Sequence, residues 1–72
     1  MVTISLRMAI MSHLSDVQEM NGMSSQQENI RMRINFVKML VQKLDDGVKE
    51  MTEDELNAVW KECNERYGIK KG

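Results

Sequence analysis

His13 and Cys63 are the side chains best suited to catalysis or metal binding, and they are the only histidine and the only cysteine in the 72-residue chain. A nucleophile needs a base and an orienting group held beside it. These two residues fall on different predicted helices and neither has a flanking signature. One of each cannot assemble a zinc site of the usual Cys and His type within one chain, and a single cysteine forms no internal disulfide. His13 sits among Ile10, Leu14 and Val17, the setting of a partly buried histidine with a local hydrogen bond. Cys63 lies on an apolar helical side, where a free thiol packs as a small hydrophobe. The expectation is a protein with no catalytic residues, no metal and no cofactor.

The acidic clusters have local explanations. Glu53, Asp54 and Glu55 open a helix, where negative charge complements the positive end of the dipole. Asp45-Asp46-Gly47 lacks the alternating oxygen ligands and terminal glutamate of a calcium loop. The basic side chains leave a second option open. Arg31 and Lys38 share one side of a predicted helix with Asn35 and Gln42, amides of the kind that read base edges, in outline like the recognition helix of a small DNA-binding regulator. Against this, ten basic and eleven acidic side chains leave a net charge of −1, so the chain is no general polyanion binder. The charge is unevenly spread, with residues 24–44 basic and both flanks acidic.

Three helices must position these groups. The chain has no proline and four glycines, and Gly22, Gly47 and Gly68 stand where helices should stop. The pattern predicts an all-α, three-helix antiparallel bundle over residues 1–72, a single domain with helices at about 5–21, 24–46 and 53–67. In the first, Leu6, Ala9, Ile10, Leu14, Val17 and Met20 form a broad apolar face, and Ile4, Met8 and Met11 a narrower one. Met1 to Ile4 also suits a short strand, but no second strand presents itself for pairing. Ser24 or Ser25 can cap the second helix, with Gln27 or Glu28 completing a capping box, and Thr52 with Glu55 does the same for the third. In the third helix Leu56, Val59, Trp60, Cys63 and Tyr67 recur at helical spacing. Ile69 can fold back over its last turn, and Lys70, Lys71 and Gly72 are expected to form a short tail.

The second helix is the centre. Ile30, Ile34, Val37, Val41, Leu44, Val48 and Met51 follow at alternating steps of four and three, the spacing of a packing stripe. Met32, Phe36, Met39 and Leu40 make a second apolar side. Gly47 should cut the stripe, although its phase continues to Met51 and a continuous helix stays open at this level. One Trp, one Tyr and one Phe supply little bulk, whereas eight methionines are many for this length. Flexible thioethers suit surfaces that adapt to a partner. More apolar positions exist than three short helices can enclose, so some should meet another chain.

These features predict a non-enzymatic protein-binding module, a small regulator, adaptor or inhibitor. Its interface would use Met8, Met11, Ile30, Ile34, Val37, Val41 and Leu44, pairing with a second copy as a homodimer and with an unidentified protein. The alternative is DNA contact through Arg31, Asn35, Lys38 and Gln42. A tiny, proline-free helical chain is also the format of many phage and mobile-element accessory proteins, although no motif carries that likeness. No apolar run is long enough to span a membrane, and the N-terminus lacks a basic lead and a cleavage site, so a cytoplasmic location is the expectation.

Overall fold

A computed structural model describes residues 2–68. In chain order the elements are β1 (Thr3–Ser5), α1 (Leu6–Met20), a single 3-10 turn (Ser24–Gln26), α2 (Gln27–Asp45), β2 (Glu50–Thr52) and α3 (Glu53–Tyr67). The molecule is mostly helical, as the apolar periodicity predicts, with one small sheet that the periodicity does not show. The expected fold-back of Ile69 and the tail beyond it lie outside the described residues.

The sheet corrects the expectation that the N-terminal strand has nothing to pair with. β1 runs antiparallel to β2, with Thr3 opposite Thr52, Ile4 opposite Met51 and Ser5 opposite Glu50. The Thr3 hydroxyl donates to Glu50 Oε1 at 2.7 Å, and the Leu6 amide donates to the Lys49 carbonyl at 2.9 Å. Each strand feeds directly into a helix. Ser5 is the N-cap of α1, its Oγ accepting from the Met8 amide at 3.5 Å, a long contact. Thr52 is the N-cap of α3 and forms the full capping box with Glu55. The sheet therefore ties the starts of α1 and α3 together.

Helix ends show which local signals won. At the end of α2, Gly47 takes φ +98°, and Val48 and Gly47 donate to the carbonyls of Lys43 and Leu44 at 3.0 Å each. This is the Schellman arrangement, which needs a left-handed residue after the cap and so stops the helix at Gly47. The expected capping box at Ser24 or Ser25 does not form, and α2 begins only at Gln27 with no side-chain cap. Instead the Gln27 side-chain Nε2 donates back to the Met23 carbonyl at 3.3 Å, across the 3-10 turn. At the end of α1 the residue with positive φ is Gly22, while Asn21 is extended.

One cluster forms the core: Leu6, Phe36, Leu40, Met51, Val59 and Cys63, with Ala9, Ile10, Met32, Met39, Leu44, Leu56 and Trp60 packed against it. α2 supplies the most of these and is the helix that packs on both others. It turns its Met32–Phe36–Met39–Leu40 side to the core. The Ile and Val stripe is split: Val37 is buried and Leu44 packs against the core, while Ile34, Val41 and Val48 are exposed. Met51, the last member by phase, reaches the core from β2 and not from a helix.

Candidate functional site

Two places on the molecule gather polar and apolar groups that its folding does not fully use. The first is a cleft of about 380 Å³ lined by Ala9 and His13 of α1, Arg33 and Phe36 of α2, and Glu53, Leu56, Asn57 and Trp60 of α3. The T-shaped contacts of Phe36 with His13 and Trp60, at centroid distances of 4.8 and 5.0 Å, form its floor. The His13 and Trp60 rings are near-parallel, 6.4 Å apart.

Arg33 fixes the state of His13. Its Nη1 lies 3.0 Å from His13 Nδ1 and 3.1 Å from Asp16 Oδ2, and its Nε donates to Asn29 Oδ1 at 3.2 Å. A guanidinium only donates, so Nδ1 must accept and the ring proton resides on Nε2. Burial, then the Arg33 charge, hold the His13 pKa below its ordinary value, while Asp16 opposes them. An imidazole with Nδ1 engaged and Nε2 protonated has no free lone pair and acts as a donor, not a general base. The sequence suggested a local hydrogen bond for His13; its partner is instead on the next helix. Cys63 does not line this cleft. Its thiol is buried, approaches the Met32 carbonyl at 3.8 Å, and is pushed upward in pKa chiefly by burial.

This arrangement makes stability depend on pH in a defined direction. The folded state resists protonating His13 and the unfolded chain does not, so the unfolded state binds more protons below pH 6.5, the group's ordinary value. The contribution is complete above that value and is lost as pH falls through the lowered folded-state pKa. The urea midpoint should therefore drop between about pH 7.5 and 5.5, above the range where most carboxylates titrate. His13→Gln should flatten that slope. An unchanged slope in the variant would show that His13 is not its source.

The second place is the outer side of α2. At 100° per residue, Ile34 lies about 160° round the helix from Phe36, and Val41 about 160° from Met39. A groove of about 300 Å³ runs there, lined by Gln27, Ile30, Arg31, Ile34, Asn35 and Lys38. Ile34 is 38% exposed and Val41 46%. Among the described residues the ion pairs are Arg33–Asp16 and Arg66–Glu62, so Arg31 and Lys38 have none there. On α1, Met8 and Met11 are each 68% exposed and Leu14 is exposed as well.

The structure thus brings Ile30 and Ile34 together with Arg31, Asn35 and Lys38, residues that the sequence divided between protein and DNA contact. It separates others. Val37, 8% exposed, and Leu44 are occupied inside the chain. Gln42 donates to Asp46 at 3.5 Å and lines a different groove, beside Lys38, Lys43, Glu62 and Arg66. Sequence reasoning missed the Arg33–Asp16–His13 set; an arginine among apolar residues on the inward half of α2 was the available signal.

The chain matches no protein-family model, and no curated protein and no solved structure matches it. No helix among the described residues is long and apolar enough to cross a membrane.

Proposed function

We propose that the chain is a non-enzymatic protein-binding module, a small regulator, adaptor or inhibitor, that receives its partner on the outer side of α2. One observation carries this reading: after the chain has buried its other apolar side, Ile34 and Val41 stay exposed on the outer side of α2, and half-buried Ile30 lines a groove there with Ile34. In this view the helices form an antiparallel bundle around Phe36 and Leu40, and Leu14 and Met11 of α1 extend the surface. Apolar surface left at helical spacing is what a helix-in-groove contact uses. Contact with DNA draws on the same cations, but it gives exposed Ile34 and Val41 no apolar surface to meet.

The test is the double variant Ile34→Asp, Val41→Asp. Both residues are exposed, so folding should survive at a cost of about 1 kcal/mol or less. Tagged wild-type protein used as bait in its native cells should retain a partner that the double variant loses, read by quantitative mass spectrometry. Equal capture by the folded variant would remove this surface from the function.

A further inference from the structure

We infer that the element docking on α2 is an acidic amphipathic helix of a different protein. This rests on the interface reading above and specifies the partner's chemistry. The groove has an apolar floor, Ile30 and Ile34, and a cationic wall, Arg31 and Lys38. These cations are seven residues apart, two turns and about 10 Å along one side of the helix. A partner helix that lays its own apolar stripe on Ile30, Ile34 and Val41 can present carboxylates at the same two-turn spacing, which fixes register as well as sign. The groove's own floor runs from Ile30 to Ile34, and exposed Val41 beyond it extends the apolar row to about 16 Å, enough for three turns of such a helix.

The chain itself argues against a second copy as occupant. α2 would bring the same Arg31 and Lys38 to the seam. Two copies face to face would set Lys38 against Lys38, and Asp45, the carboxylate on the same seven-residue row, would reach Arg31 only in an antiparallel pairing centred on Lys38, so self-association is an outcome that the test must separate. Duplex DNA would satisfy the cations but leave Ile30 and Ile34 against phosphates. A partner that is both acidic and apolar satisfies the whole groove.

The experiment uses the full chain and two synthetic helical peptides of about 18 residues, long enough to cover the groove. They carry the same Leu and Ile stripe, one flanked by Glu and the other by Lys. Fluorescence anisotropy should show the Glu peptide binding at least about tenfold more tightly than the Lys peptide, with affinity falling as salt rises from about 50 to about 300 mM. The variant Arg31→Glu, Lys38→Glu changes two exposed side chains, and circular dichroism checks that it stays folded; it should reverse the preference. Equal binding of both peptides, binding of neither, or an unreversed preference would overturn the inference. So would sedimentation showing a tight dimer lost with Ile34→Asp. Duplex DNA or anionic phosphatidylglycerol vesicles bound in place of the Glu peptide, with the same dependence on Arg31 and Lys38, would overturn it too. The two readings fail separately. A native partner lost with Ile34→Asp, Val41→Asp but retained with the charge reversal would leave the interface and remove the acidic helix; one retained by both variants would remove the interface.

Discussion

Leu40→Ala should leave no cooperatively folded protein at room temperature. Leu40 is fully enclosed at the middle of α2 and belongs to the single core cluster with Leu6, Phe36, Met51, Val59 and Cys63. Truncating a buried leucine costs about 2–5 kcal/mol, the transfer term plus the cavity left behind. A chain of this size has a core that rarely supplies more than about 3–5 kcal/mol of net stability. The substitution therefore removes most or all of what holds the fold. Leu40→Met conserves volume and should cost less than about 1.5 kcal/mol. Thermal melts followed by circular dichroism separate these outcomes. A Leu40→Ala melt that stays cooperative within a few degrees of wild type would mean that Leu40 is not at the centre of the packing.

What could be read from the sequence was local. Thr52 and Glu55 are three residues apart, and their capping box forms because both partners lie within one turn. Gly47 ends α2 for a similarly short-range reason, a positive φ that other residues adopt at a cost. The sheet was not legible because its pairing spans about 47 residues, as from Ile4 to Met51, and Glu50-Met51-Thr52 has no strand signature of its own. Met51 falls in phase with the stripe beyond the expected break at Gly47, whereas its burial comes from β2. Ser24 and Ser25 had the right spacing for a capping box, but the 3-10 turn places Gln27 where it bonds the Met23 carbonyl instead.

The candidate site was legible in membership and not in arrangement. Ile30, Ile34, Arg31, Asn35 and Lys38 stand out by type and spacing, yet their periodicity does not say which apolar side of α2 faces inward. Both sides are apolar over the same length. The deciding partner is on α3: Trp60 meets Phe36 edge to face, and Cys63 approaches the Met32 carbonyl, so the side with the aromatic ring turns inward. Arg33 was counted among the basic side chains of α2, whereas it bridges to Asp16 and His13 on α1, contacts separated by 17 and 20 residues.

That choice of inward side is what Phe36→Ala tests. Phe36 is 3% exposed and lies edge to face with both His13 and Trp60. Removing a buried phenyl ring costs about 3–5 kcal/mol, and each aromatic contact adds about 0.5–1.5 kcal/mol beyond area burial. The variant should be largely unfolded, and the emission of Trp60, the only tryptophan, should shift to the red as water reaches it. Phe36→Leu keeps most of the volume but loses both ring contacts, so it should fold with reduced stability. It should also lower the barrier to water entering the cleft beneath His13, weakening the pH dependence that burial of the imidazole creates. Ile34→Ala, on the opposite side of the same helix and partly exposed, should cost about 1 kcal/mol or less. The ratio of these two losses decides the functional reading. If Ile34→Ala proved as damaging as Phe36→Ala, the Ile and Val stripe would be core, and the groove beside Arg31 and Lys38 would have no apolar floor to offer a partner.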